Sequence, residues 1–255
     1  MDASLLRDLV EEEAVLDRLV ASLDDAEWAS ATPATDWTVA DTIAHLAVSE
    51  RAAADSLCDD RDPVTGLTGS PGPTGAPDVP EHERPATGYA SSTAVLADWR
   101  TQRARVLDAF AARADDDRVP WGGRRMAVRS LATARIMETW AHGLDCFAGL
   151  GATPVDTDRL APIAWLGWKT LPYAFAVAGE SPPARPADLR LELVAPSGAR
   201  WEYGPPLDVA AAVLRGSAGD WCRVATHRFR RTTPPDLVAD GPLAVAALRV
   251  ARAFL

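Results

Sequence analysis

The sequence predicts a mainly α protein, with an all-helical first part of about 180 residues and a small α+β part of about 70 after it. Two observations carry this. Apolar residues recur at helical spacing through the first part, beginning with Leu5, Leu9, Val15, Leu16, Leu19 and Leu23. After "GESPPARPADL" the period changes to two, with Leu189, Leu191 and Leu193 on one face and Arg190 and Glu192 on the other.

Taken in order, the first helix covers residues 4–23, and its acidic run Glu11-Glu12-Glu13 is expected to face water. In "TPATDWTVADTIAHLAVSERAAADSL", Thr38 and Asp41 are spaced as a capping box, which opens a second helix running to about Cys58. Residues 59–87 are too dense in Pro, Gly and charge for a regular element. A segment of this kind is either a functional lid or a disordered excursion, and both readings stay open. A third helix is expected over 89–114, carrying Val95, Leu96, Trp99, Val106, Leu107 and Phe110. "DDDRVPWGG" breaks the pattern, and a fourth helix spans 124–149, closing on Gly149 and Gly151. A fifth apolar segment, 156–178, contains Trp165, Trp168, Tyr173 and Phe175. "LRLELVAP" and "SGARWEYG" then read as a hairpin, "LDVAAAVL" as a third strand, and "GSAGDWCRVATHRF" and "GPLAVAALRVARAFL" as helices. The expected domains are therefore 1–180 and 185–255.

Composition excludes several classes of function. The chain has 255 residues, 47% of them hydrophobic, enough for a sizeable core. Its net charge of -10 and single lysine, Lys169, argue against nucleic acid as the main partner. Cys58, Cys146 and Cys222 are odd in number and widely spaced, so neither a disulfide framework nor a cysteine zinc site is expected, and a reducing cytoplasm is. Cys58 and Cys146 read as small buried hydrophobes, since neither has a base nearby to mark it as a nucleophile. The acidic N-terminus is not a signal peptide, and no stretch is apolar enough for a membrane span.

The chemistry concentrates in "METWAHGLDCF". Glu138, His142 and Asp145 are spaced four and three apart, so they share one side of a helix, within an arc of about 60°. Met137, Trp140, Ala141, Leu144 and Ala148 form the apolar arc beside them, and Arg135 and Thr139 lie on the opposite flank. A buried carboxylate and imidazole must be paired or bind a metal. Zinc takes such ligands, and helical bundles assemble its sites from facing helices. Of the four histidines, His45 lies on a helix that could pair with this one, whereas His82 falls in the Pro-rich segment and reads as solvated. An ordinary hydrogen-bonded Glu138–His142 pair is also compatible with the spacing. Asp145 has the position to orient His142. Asp41 could orient His45 or simply cap its helix.

"DWTVADTIAHL" followed by "ETWAHGLD" resembles the DinB-like metal-binding bundle, specifically the mycothiol-dependent maleylpyruvate isomerase family. The resemblance implies an up-down helical bundle followed by a small α+β domain. It also implies a divalent metal, taken as zinc, bound by His45, Glu138 and His142. "GSAGDWCRVATHRF" resembles the family segment G-x-A-x-D-L-x-x-x-L-x-G-R, whose arginine is implicated in the active site. That residue corresponds to Arg228, but His227 stands where the pattern has glycine and "WC" replaces two apolar residues. The implied function is a metal-dependent isomerase or S-transferase. In it a thiol such as mycothiol, bound at the metal as thiolate, attacks an electrophilic small molecule. Arg228 would bind a carboxylate or stabilise an enolate, and Asp145 would set the tautomer of His142. Two alternatives stay open: a binding or regulatory protein with a structural metal, and a metal-assisted hydrolase using water.

Overall fold

In the computed structural model, which describes residues 2–63, 89–229 and 235–253, the chain forms two compact units, divided between Pro154 and Val155.

The first unit contains α1 (Ala3–Val20), α2 (Asp25–Trp28), α3 (Val39–Asp59), α4 (Ser92–Ala111), the two strands β1 (Arg118–Trp121) and β2 (Arg124–Ala127), and α5 (Val128–Gly149). Helix starts are fixed by side chains. Asp2 accepts from Ser4 N, Ser91 from Ala94 N, and Thr38 and Asp41 form the reciprocal box expected of them. Asp41 accepts from both the backbone N and Oγ1 of Thr38, which fixes the start of the helix that carries His45. Leu16 and Val20 of α1, Ile43, Leu46 and Ala47 of α3, Val95, Leu96 and Trp99 of α4 and Cys146 of α5 meet in one core cluster.

Several expectations are corrected here. Glu11 is exposed, but Glu12 and Glu13 are buried, and Glu13 is met by Arg103 from α4. "DDDRVPWGG" is not a simple break. Gly122 and Gly123 both take positive φ and make the two-residue turn of an antiparallel hairpin, so α5 starts at Val128 rather than 124. Cys58 is exposed, because it lies on the outer face of the last turn of α3, whereas Cys146 is buried. His82 and most of the Pro-rich segment lie outside the described residues.

The second unit comprises α6 (Ala161–Lys169), α7 (Leu171–Val177), β3 (Leu189–Val194), β4 (Arg200–Tyr203), β5 (Ala212–Ser217), α8 (Ala218–Ala225), β6 (Leu237–Asp240) and α9 (Pro242–Val250). The fifth apolar segment is thus two short helices, the second with Pro172 in its first turn. They belong to this unit and not to the helical part, because their polar and apolar groups are satisfied here. Trp168 Nε1 donates to Leu189 O, and Trp221 Nε1 donates to Ala164 O. The boundary therefore falls at 154/155 instead of near 180.

The sheet order is β4-β3-β5-β6, with β3 and β5 parallel and the other pairs antiparallel. Leu189, Leu191 and Leu193 are buried on one face as the alternation predicts. The third strand begins at Ala212, later than "LDVAAAVL" implied, and β6 carries no strong alternation in the sequence. Gly216 is needed where β5 meets the approach to β6: at φ 138°, a Cβ there would lie 1.9 Å from Asp236 O. Among the described residues, no helix is long and apolar enough to cross a membrane.

Candidate metal centre

The packing of α3 against α5 brings His45, Glu138 and His142 together, each offering one ligand atom, all within 4.8 Å of one another. Glu138 Oε2 lies 3.5 Å from His45 Nε2 and 3.4 Å from His142 Nε2. Ligands bound tetrahedrally at about 2.0–2.1 Å stand about 3.4 Å apart, so the Glu138 oxygen stands from each histidine nitrogen at the spacing such a site requires. His142 Nδ1, on the other side of its ring, lies 3.2 Å from Asp145 Oδ2. That contact is on the ring edge away from Glu138, and it places Asp145 beside the histidine rather than among the three donors.

Trp37 is the residue that spacing does not reveal. It is 3% exposed, stacks nearly parallel on His142 at 5.9 Å between ring centroids, and meets His45 at 5.2 Å. Its position is set by backbone bonds from Trp37 N to Ala34 O and from Thr32 N to Trp37 O, just ahead of the Thr38 cap. Adjacency to that cap is the one signal the sequence offers. Arg135 and Thr139, placed on a flank away from the site, are also buried, because α5 is surrounded. Arg135 lies one turn before Glu138, donates from Nη1 to Ser49 Oγ at 2.7 Å, and lies over the Trp121 ring.

The side chains of His45 and Glu138 are 29% and 19% exposed, and that of His142 is 9% exposed, so the cluster reaches solvent at the His45 end. Burial alone would raise the Glu138 carboxyl, but hydrogen bonds from His142 and His45 outweigh it and hold Glu138 well below the ordinary carboxylate range. Packing around His45 pushes its imidazole down, against the pull of Glu138, even though one edge of the ring is open. The shift at His45 favours its neutral imidazole and the shift at Glu138 its ionised carboxylate, the forms in which these two groups bind metals.

A sign follows for pH. The folded chain holds His45 neutral, whereas the unfolded chain takes up a proton there below about 6.5. The unfolded state then binds more protons, so the stability of metal-free protein falls as the pH drops below that value. His45→Gln is expected to remove this part of the acid sensitivity, read as thermal midpoint against pH.

Arg228 lies in the second unit, just past α8. Its backbone N donates to Arg223 O, and its Nη1 donates to Thr226 O at 2.7 Å. His227 takes φ 58°, the left-handed conformation that explains why the family pattern has glycine there, and its Nε2 contacts Ala251 O at 3.1 Å.

The family model for the mycothiol maleylpyruvate isomerase N-terminal domain matches residues 9–147. The chain is 40% identical over 248 residues to the uncharacterised proteins MT0041 and Rv0036c of two Mycobacterium tuberculosis strains, covering 97% of this chain and 93% of each relative. Among solved structures, the mycothiol-dependent maleylpyruvate isomerase superimposes with a TM-score of 0.57 at 21% identity, covering 92% of this chain and 91% of that one. A histidine-to-alanine mutant of a mycothiol-dependent maleylpyruvate isomerase gives 0.56 at 22%, covering 89% of each chain. At these identities the structural likeness speaks for the fold.

Proposed function

The chain belongs to the mycothiol maleylpyruvate isomerase family, and from that premise we propose that it is a divalent-metal-dependent enzyme acting with a low-molecular-weight thiol, mycothiol, on an electrophilic small molecule. The observation that carries this reading is the set of three donor atoms within 4.8 Å on α3 and α5. His45, Glu138 and His142 would hold the ion, and zinc suits two imidazoles and a carboxylate. Bound there, the ion would supply the Lewis acidity that keeps a thiol deprotonated near neutral pH.

The chain's own residues prepare the site. Asp145 Oδ2 lies 3.2 Å from His142 Nδ1, and from there Asp145 would set the tautomer of His142 with Nδ1 as the protonated nitrogen. Trp37 packs against both rings and limits their rotation. The partial exposure of His45 and Glu138 supports an open site that a thiol can enter, as opposed to a closed structural one. The position of Asp145 on the far side of His142 supports the same reading over a four-ligand site. Addition of the thiol to an unsaturated carbon, rotation about the resulting single bond and elimination of the thiol would be isomerisation, and retention of the thiol would be S-transfer. Arg228 would bind a substrate carboxylate, an assignment supported by the family segment alone.

The test is calorimetric titration of mycothiol into zinc-loaded and chelator-stripped protein. Binding is expected only with zinc present. Equal binding to both forms, or binding to neither, would remove the thiol from the mechanism and favour a small-molecule binding protein.

A further inference from the structure

A second group of charged side chains lies inside the same bundle. Glu13 of α1 is 1% exposed and Glu50 of α3 is 0% exposed. Among the described residues, none of their four carboxylate oxygens has a hydrogen-bond partner. Their ionic contacts are longer, with Arg103 Nε 3.4 Å from Glu13 Oε2 and Arg135 Nη1 3.9 Å from Glu50 Oε1. Both guanidiniums are shared. Arg103 donates from Nη1 to Asp17 Oδ2 at 2.7 Å, and Arg135 donates to Ser49 and acts on Glu138.

We propose that Glu13 and Glu50 together hold one proton in the core of the first unit, and that this proton is released when a divalent cation is taken up at His45, Glu138 and His142, with Arg135 as the positioning residue between the two clusters. The linkage rests on the metal reading given above. The retained proton does not.

The charges facing the pair can be stated element by element. From α1 come Glu13 itself and Asp17, from α3 Glu50, from α4 Arg103, and from α5 Arg135 and Glu138. Arg100 of α4 neutralises Asp17 from outside. His45 and His142 also face Glu138, and with both imidazoles neutral that leaves three carboxylates, Glu13, Glu50 and Glu138, against two guanidiniums. Ionising all three would place an uncompensated negative charge where water is excluded, which costs more than keeping one carboxyl protonated. Glu138 is not the holder, since two histidines donate to it. Burial raises both Glu13 and Glu50, Glu50 adds to the rise at Glu13, and Glu138 adds to the rise at Glu50. Arg103 and Arg135 oppose it at both.

A doubly charged cation beside Glu138 reverses the local balance. It offsets the repulsion that Glu138 exerts on Glu50 and favours the ionised pair, so uptake of the cation and loss of the proton are linked. Arg135 transmits the change because it faces Glu50 and Glu138 at once.

The full chain, metal-free, is examined by infrared spectroscopy for the C=O stretch of a buried protonated carboxyl, and zinc is then added. In parallel, protons released per zinc are measured by calorimetry in buffers of different ionisation enthalpy, for wild type, Glu13→Gln and Glu50→Gln. The expected result is a band at neutral pH that zinc removes, and proton release that drops by up to one per zinc in either variant with the stoichiometry unchanged. Zinc that binds one-to-one without altering the band, or with equal proton release in all three proteins, overturns the linkage and leaves the functional reading standing. A wild type that takes up no zinc overturns the functional reading and the linkage with it, while the band still reports the shared proton. The infrared experiment needs no variant, so a Gln substitution that impairs folding leaves the test intact.

Discussion

His142→Ala is expected to yield a folded chain that keeps less than about one-tenth of the wild type's zinc. The substitution removes one of three donors and leaves His45 and Glu138, 3.5 Å apart, with no third ligand to complete the set. Loss of a residue that merely orients a ligand costs about 10–100-fold in metal affinity, so loss of the ligand itself should cost at least that. The fold should survive with a moderate penalty. His142 contributes little apolar burial, but its removal takes the imidazole from Asp145, which is 4% exposed. A buried polar group deprived of such a partner costs about 1–3 kcal/mol, and a charged carboxylate more. Asp145→Asn separates the two effects: it keeps all three donors and should weaken zinc about 10–100-fold without abolishing it. Elemental analysis of gel-filtered protein, with helix content checked by circular dichroism, measures both variants. Zinc retained at wild-type level by folded His142→Ala protein would mean that the ion sits elsewhere.

How much of this was legible in the sequence depends on the range of the interaction involved. The alignment of Glu138, His142 and Asp145 is a property of one helix turn, so spacing alone gives it. The meeting of α3 with α5 is long-range. Only the family resemblance of "DWTVADTIAHL" and "ETWAHGLD" selects His45 as the partner. Glu13 shows the converse error. Three consecutive glutamates read as a solvated run, yet helix positions step by about 100°, so Glu13 falls with Leu9 and Leu16 on the buried stripe; what stays unsignalled locally is that Arg103, far along the chain, meets it there. The β1–β2 hairpin was masked for another reason. Each strand has four residues and one includes Pro120, so no period-two pattern develops, although Gly122-Gly123 was itself a turn signal. The domain boundary was missed because an apolar helix does not reveal which neighbour will cover it. The Trp168–Leu189 bond that commits α6 to the second unit joins residues from different elements.

Trp221→Ala is expected to destabilise the second unit by about 3–5 kcal/mol. The side chain is fully buried, and its Nε1 donates to Ala164 O at 3.0 Å, so truncation opens a large cavity and removes a buried hydrogen bond. The family segment has a smaller apolar residue here, which made the tryptophan look like a departure from the pattern. The structure supplies its compensation on α6. A Cβ added at Gly167 would lie 2.8 Å from the Ala225 Cβ and 3.3 Å from Trp221 Nε1, so the glycine admits the indole. Gly167→Ala should therefore cost about 1–3 kcal/mol by crowding. Trp221→Leu should cost less than Trp221→Ala, since it refills part of the space. Because positions 167 and 221 touch, the double variant Gly167→Ala/Trp221→Leu should be more stable than the sum of its single changes predicts, as the added methyl occupies room the indole has left. Denaturant unfolding of the full chain across this cycle measures the coupling. Additivity within about 0.3–0.5 kcal/mol would show that Gly167 is not what makes room for Trp221, and that the bulky side chain is accommodated by the sheet instead.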